Sequence, residues 1–256
     1  MIKLIALREL KSLFLSPLAW AMLAVMQLIL CYQFLTQLET YMQLQAKLSV
    51  LEESPGITDL VIAPLLGGAA IVLLLIVPLL TMRLISEEQK NQTLPLLFSA
   101  PISMTQIILG KYLGVLGFLL VLVIMIALMP LSLLLGAAID LGQLFSAILG
   151  LILMLASFAA AGLYMSTLTR QPAIAAVSSF GLLLFLWIIN WADGVEIDAS
   201  LAEGGENIIT WFSLLNHFEP LLKGVFSTAD IAYYLLFICL FLVLSVRRLE
   251  RLRLPH

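Results

Sequence analysis

Charged residues are scarce in this chain: they make up 11% of its 256 residues, whereas apolar residues make up 62%. Soluble domains carry about a quarter charged residues, so the composition excludes an ordinary water-soluble fold. The apolar runs also lack the alternation of a β-barrel, and inside lipid only helices and closed barrels satisfy their backbone hydrogen bonds. The sequence therefore predicts an all-α, polytopic membrane protein.

Sequence motifs for catalysis are also missing. The chain has no GxxxxGK[ST], so it does not bind ATP phosphates through a P-loop. It has no HExxH or GxSxG, and His217 and His256 are far from other candidate ligands. Cys31 and Cys239 lie in apolar runs without CxxC spacing. We therefore expect no catalytic residue, no metal site and no cofactor bound by this chain.

Six apolar runs have the length of a membrane-spanning helix, which is about 20 residues. They are residues 17–35, 60–82, 112–136, 143–168, 173–192 and 229–246. None has a charged residue near its centre, where an ion-coupled carrier usually places one. Gln27, Gln33 and Asn190 are the nearest substitutes. We predict one transmembrane domain over residues 1–256 with six spans, and the energy for any transport must come from elsewhere.

Positive charge is concentrated on one side of the predicted spans. If the spans alternate in direction, Lys47 and Lys223 fall on one side and all other cations fall on the opposite side. The positive-inside rule then places both termini in the cytoplasm. The basic tail RRLERLR at 247–253 is expected to lie near anionic lipid head groups rather than on nucleic acid.

Residues 1–16 are predicted to form a helix that lies in the membrane interface. Ile2, Ile5, Leu10, Leu13 and Phe14 share one face, while charged residues occupy much of the rest. The Ser16-Pro17 pair then breaks the helix before the first span. An ordinary positively charged leader is the alternative.

The stretch RLISEEQKNQTLPLLFSAPIS, residues 83–103, lies between the second and third runs. Glu87 and Glu88 precede TLPLLFSAP, which is too short to cross a membrane and too apolar for an ordinary loop. An amphipathic segment with exposed acids is suited to a partner's groove. A solvated loop with an interfacial helix is the alternative.

The last external segment, residues 193–228, divides into an acidic half and an aromatic half. The aromatic half is too polar in places to span, and we predict one or two short helices that dip into the outer leaflet. They would form either an external gate or an aromatic cap in lipid. The candidate gate residues are Trp211, Phe212, Asn216, His217 and Phe218.

Small residues recur four positions apart within the runs, as at Gly110 and Gly114, at Ala156 and Ala160, and at Gly162 and Ser166. This spacing lets helices approach closely. It serves packing within one bundle more often than dimerisation.

Three stretches resemble ABC-2 type transporter permeases. Residues 83–103 carry the family's acidic pair, Thr93, a leucine-rich stretch and Ser-x-Pro-hydrophobic-Ser, followed by GKY at residues 110–112. The sequence RELKSLFLSPLAW at 8–20 and the stretch at 216–237 are similar to the branch that includes gliding-motility and nitrous-oxide-reductase maturation permeases. Gln92 departs from the pattern, because the family often has glycine before the threonine.

The resemblance implies the membrane subunit of an ATP-driven exporter in the bacterial inner membrane. A separate ABC-type ATPase would bind ATP and Mg²⁺, and two permease copies, identical or related, would pair over two ATPase subunits among membrane lipids. Residues 87–103 would contain a cytoplasmic coupling helix. The expected coupling residues are Glu87, Glu88, Thr93, Leu94 and Arg170.

Two other functions remain open at the level of the sequence. One is a membrane anchor or scaffold for a maturation or motility assembly, which would lack an ATPase partner. The other is an ion-coupled secondary carrier, which the absence of central charges disfavours. An apolar lining would suit lipids, hydrophobic drugs or a polypeptide segment as substrate.

Overall fold

The computed structural model describes residues 1–48, 56–95, 102–135, 139–189 and 213–253. Within these ranges the chain contains no β-strand, which confirms the all-α fold class. The helices are α1 (Ile2–Leu15), α2 (Pro17–Leu48), α3 (Ala63–Thr81), α4 (Ser86–Lys90), α5 (Met104–Ser132), α6 (Leu141–Leu168), α7 (Pro172–Ile188), α8 (Leu214–Leu222) and α9 (Thr228–Arg253). A π-helical turn, Thr58–Ile62, leads into α3, and a 3₁₀ turn, Leu133–Leu135, follows α5.

Five helical segments of the described chain are long and apolar enough to cross a membrane. They are Pro17–Leu44, Thr58–Lys90, Met104–Ser132, Leu141–Leu168 and Thr228–Arg253, and each overlaps a predicted span. The remaining predicted span corresponds to α7, which has 17 residues. At 1.5 Å per residue α7 is about 25 Å long, short of the roughly 30 Å hydrocarbon core. A count of six spans therefore stays a prediction.

The first span is longer than the sequence predicts. The predicted apolar run ends at residue 35, where polar residues begin, but α2 continues to Leu48. The Thr36 and Thr40 hydroxyls donate hydrogen bonds to the carbonyl oxygens of Tyr32 and Thr36, at 2.9 and 2.8 Å. Such bonds satisfy the two hydroxyl groups within the helix. Residues 37–48, QLETYMQLQAKL, are mostly good helix formers, so the loss of apolar character does not end α2.

The central helix of the bundle is α6. It packs against α3, α5, α7, α8 and α9, and its apolar residues are the most deeply buried among the five long segments. A Cβ atom at Gly162 would collide with the Thr81 side chain of α3. Ala156, Ala160 and Ser166 are buried as well. The regularly spaced small residues of α6 therefore serve contacts within the chain.

The N-terminal helix α1 lies along the first half of α5. Moving along both helices, Ile5 faces Gly110, Glu9 faces Gly114 and Leu10 faces Gly117, and the rings of Phe14 and Phe118 are 5.1 Å apart. At successive contacts the residue numbers rise along both helices, so α1 and α5 run side by side in the same direction. Glycines permit this approach because they have no side chain to separate the two backbones.

The other face of α1 is exposed and amphipathic. Leu4, Leu7 and Leu15 are more than half exposed, and Lys3 and Lys11 share the exposed surface. Long basic side chains beside exposed leucines are typical of a helix at a membrane boundary. The structure thus shows the predicted helix, and its interfacial placement stays a prediction.

Replacing Gly114 with alanine should separate α1 from α5. The added Cβ would lie 2.6 Å from the Glu9 Cβ and 2.9 Å from the Ala6 carbonyl oxygen, and overpacking of this kind costs about 1–3 kcal/mol. The matched control is Gly181→Ala, since no atom lies within 4 Å of that position. We expect a lower unfolding temperature in detergent and faster trypsin cleavage after Arg8 only for Gly114→Ala. Equal behaviour of the two variants would contradict this packing.

Candidate functional site

The candidate site is the short connection between α3 and α5, at the end of the bundle that we call the basic end. This end holds α1, α4, the link between α6 and α7, and the last turns of α9. Arg8, Arg83, Lys111 and Arg170 belong to it, together with the arginines of residues 247–253. The positive side predicted from the sequence is therefore the side on which the connection lies.

The start of α4 is fixed to α6 through the Ser166 hydroxyl. The backbone N–H groups of Ile85 and Ser86 donate to Ser166 Oγ at 3.0 and 3.1 Å, and Ser166 Oγ donates to the Met82 carbonyl oxygen at 3.0 Å. The first N–H groups of a helix have no partner inside it, so this hydroxyl satisfies donors that α4 would otherwise leave unpaired.

A second bond joins the end of α6 to the side of α4. Gln89 Nε2 donates to the Thr167 carbonyl oxygen at 3.0 Å. The exposed Arg170 follows three residues later, in the link to α7. The structure thus brings the loop of the predicted coupling residue Arg170 close to α4.

Lys111 connects α5 to α4 and α1. Its side chain is only 7% exposed, and Nζ lies 2.8 Å from Glu88 Oε1 and 3.4 Å from Glu9 Oε2. The two carboxylate side chains are 26% and 21% exposed. A lysine this deeply buried needs a negative partner, because an uncompensated charge is costly to remove from water. We call Glu9, Glu88 and Lys111 the Lys111 triad.

The three residues of the GKY match each contact a different helix. A Cβ at Gly110 would lie 2.7 Å from Ile5 of α1. Lys111 pairs with Glu88 of α4, and the Tyr112 hydroxyl donates to the Ala156 carbonyl oxygen of α6 at 3.1 Å. One turn of α5 therefore contacts three other helices, α1, α4 and α6.

The two acidic residues predicted to act together face different surroundings. Glu87 is exposed, whereas Glu88 turns inward to Lys111. Glu88 Oε2 is buried and has no hydrogen-bond partner among the described residues. A protein partner approaching α4 can reach Glu87 directly, whereas Glu88 is already paired with Lys111.

A left-handed turn ends α4. The Thr93 N–H donates to the Glu88 carbonyl oxygen at 3.0 Å and the Gln92 N–H donates to the Gln89 carbonyl oxygen at 3.4 Å, a pattern that defines a Schellman C-cap. Gln92 has φ +55°, a conformation that favours glycine. The position at which the sequence departs from the family pattern is therefore the one that the turn geometry would assign to glycine.

Beyond this turn, Thr93 is exposed and Leu94 is buried. Residues 96–101, which include most of the leucine-rich stretch, lie outside the described residues. Within 86–95 the structure shows a five-residue helix and a sharp turn. The coupling role of Glu87, Glu88, Thr93, Leu94 and Arg170 stays a prediction.

At the opposite end of the bundle, α8 carries three of the predicted gate residues. Asn216 is exposed, whereas His217 and Phe218 are buried. His217 Nδ1 lies 2.6 Å from Asp230 Oδ1 of α9, and Phe218 packs on Gly150 of α6. Trp211 and Phe212 lie outside the described residues, and the gate stays a prediction.

Residues of the site that the sequence did not reveal are Glu9, Lys111 and Ser166. Glu9 and Lys111 are 102 positions apart, so a single sequence contains no signal for their pairing. Two hints were available for Lys111: it belongs to the GKY match at residues 110–112, and it is the one charged residue of the helix Met104–Ser132. Among the described residues, no group of three or more His, Cys, Asp or Glu side chains could hold a metal ion.

Gln92→Gly should stabilise the turn after α4 by about 1 kcal/mol, because glycine adopts the left-handed conformation without strain. Hydrogen exchange of the peptide covering residues 86–95 should become slower. Asn91→Gly is the control, since Asn91 has φ −82° and gains only flexibility there. Faster exchange in Gln92→Gly than in the wild type would contradict the assigned turn.

Lys111→Met removes the cation and leaves Glu9 and Glu88 without compensation. We expect the free energy of unfolding to fall by about 2 kcal/mol, since breaking a largely buried ion pair leaves unpaired charge behind. Adding Glu9→Gln and Glu88→Gln to this variant should recover most of the lost stability. Thermal unfolding in one detergent measures both effects, with Lys90→Met on the exposed side of α4 as control. A triple variant less stable than Lys111→Met would show that the triad is not held by charge.

Comparison with known proteins extends the resemblance over the whole bundle. The family model for ABC-2 family transporter protein matches residues 4–254. A search of curated proteins found no match. The matched range includes most of α1, the α3–α5 connection and α9, so it covers nearly the whole basic end. The chain belongs to the ABC-2 transporter family and is a multi-pass membrane transport protein.

Proposed function

We propose that this chain is the membrane-spanning permease subunit of an ATP-driven ABC exporter. The proposal rests on the contacts that hold α4 in the bundle. This short acidic helix at the basic end is joined to α6 by Ser166 and to α5 and α1 by Lys111. The chain has no P-loop sequence of its own, so ATP and Mg²⁺ belong to a separate ATPase subunit.

The contacts divide the predicted coupling residues into two groups. Glu87, Thr93 and Arg170 are exposed and are suited to meet the ATPase. Glu88 and Leu94 face inward and are suited to pass a displacement to the bundle. A force on α4 then acts on α6 through hydrogen bonds, and on α5 and α1 through an ion pair. Because α6 is the central helix, its displacement changes the packing of most other helices.

The complete assembly would contain two permease chains, identical or related, above two ATPase subunits. It would lie in the bacterial inner membrane with both termini of each chain in the cytoplasm, in keeping with the cations gathered at the basic end. Export as the direction of transport rests on the resemblance. At the outer end, α8 is the candidate gate, and any gate motion would move α6 and α9, to which Phe218 and His217 are attached.

Charge reversal at Glu87 tests this proposal. Glu87→Arg should lower recovery of a Walker-motif ATPase roughly tenfold in a mild-detergent pull-down from native membranes, because reversed charge at an interface repels the partner. Stability should not change, since Glu87 is exposed and forms no ion pair with a described residue. Mass spectrometry of the partners and ATPase assays on the recovered complex provide the measurement.

Glu250→Arg is the matched control, because Glu250 is also exposed at the basic end but lies on α9. It should retain the ATPase. Glu88→Arg is a poorer probe, since it places a second cation against Lys111 and disturbs the triad itself. Normal ATPase recovery and normal ATPase activity in Glu87→Arg would show that the ATPase does not contact α4 through Glu87. Failure of the wild-type chain to bring down any ATPase, with other membrane complexes preserved, would favour the scaffold function.

A further inference from the structure

A cavity of about 360 Å³ lies at the basic end, between α1, the start of α2, the end of α3, α4 and the start of α5. Its size falls in the range of small-molecule sites. It lies beside the Lys111 triad and extends to Ser16 and Leu18, where the chain enters the first span. The proposed function assigns no ligand to this cavity.

One wall of the cavity is apolar and is formed by the ends of two apolar helices. Leu18 belongs to the first turn of α2, and Leu79 and Leu80 belong to the last turn of α3. Leu18 lies at the start of the candidate span Pro17–Leu44, and α3 forms the apolar part of the candidate span Thr58–Lys90. The ends of spans lie where lipid head groups meet hydrocarbon. This wall is therefore suited to the upper acyl chain of a lipid.

The rest of the lining carries charges of both signs. Arg8, Arg83 and Lys111 belong to it together with Glu9, Glu87 and Glu88, so three cations and three carboxylates line the cavity. Lys111 is held by Glu9 and Glu88. Arg8 and Arg83 form no ion pair with any described residue. The cavity thus offers two guanidinium groups for an anion, while its total charge is zero.

Acceptors for a cation are present in the same cavity. Glu87 is exposed and lines the cavity, so its carboxylate is open to a donor. Glu88 is not available, because its Oε1 is paired with Lys111 and its Oε2 is buried. A ligand that carries both a phosphate and an amine would pair with the two arginines and with Glu87.

We propose that the cavity binds a zwitterionic aminophospholipid from the adjacent leaflet. Arg8 and Arg83 hold the phosphate, since guanidinium groups bind phosphate oxygens through paired N–H bonds. Glu87 accepts a hydrogen bond from the ammonium group, and the leucine wall covers the glycerol end of the acyl chains. An anionic lipid fits less well, because the lining has no net positive charge. A segment of a soluble partner fits less well against a wall formed by the ends of two apolar helices.

Lipid retention by the purified full-length chain tests this site. The chain, in mild detergent, is given an equimolar mixture of phosphatidylethanolamine, phosphatidylcholine and phosphatidylglycerol with identical acyl chains, washed, and examined by native mass spectrometry. Phosphatidylethanolamine should be retained in preference, since phosphatidylcholine has no N–H to donate. Arg8→Gln and Arg83→Gln should each lower retention roughly fivefold, in line with the contribution of one basic residue to lipid binding.

Arg247→Gln is the matched control, because Arg247 is exposed at the same end and does not line the cavity. Ser12→Phe, which fills the cavity and leaves every charge in place, should also lower retention, and it tests the site if the arginine variants fold poorly. Equal retention by wild type and by the cavity variants would overturn the proposal. So would preference for phosphatidylglycerol, equal binding of phosphatidylcholine, or displacement of lipid by excess inorganic phosphate, which would mark a free-phosphate site.

Discussion

The arrangement of the basic end depends on one buried cation. Lys111 lies in a helix packed on several sides, where water does not compensate its charge, so acidic side chains must approach it. Glu9 and Glu88 do so from two separate elements. This requirement fixes the position of α4 and α1 relative to α5 more closely than apolar contacts would, because an ion pair needs particular atoms at particular distances. Breaking a buried pair is also more costly than losing an apolar contact of similar area.

The triad forms only because glycine brings the helices close enough. Gly110 and Gly114 flank Lys111 on α5 and lie against Ile5 and Glu9 of α1. Apolar side chains in lipid gain little from contacting one another instead of lipid, so close packing and polar contacts must hold membrane helices together. The basic end combines both: glycine contacts set the distance between α1 and α5, and the ion pairs set their register.

Hydropathy and helical spacing were enough to predict the all-α class, the approximate positions of five spanning helices and the N-terminal helix. They failed at the end of α2, because the polar residues 37–48 are mostly good helix formers and continue the helix past its apolar part. The sequence also could not separate Glu87 from Glu88, since their difference comes from Lys111, which is distant along the chain. Residue Gln92 could be noticed as unusual, but only the positive φ explains why glycine suits that position.

Polar contacts at both ends of α6 give this helix a particular place in the proposed function. Near the basic end, Ser166 and the Thr167 carbonyl hold α4. Near the opposite end, Gln143 Nε2 donates to Asp59 Oδ1 at 2.8 Å and to the Leu222 carbonyl oxygen of α8 at 3.1 Å. Between these ends α6 is a continuous helix of 28 residues, about 42 Å long at 1.5 Å per residue. In the proposed function, a displacement of α4 at the basic end reaches α8 through this one helix. Because α6 packs against most of the other helices, the same displacement also changes the packing in the middle of the bundle.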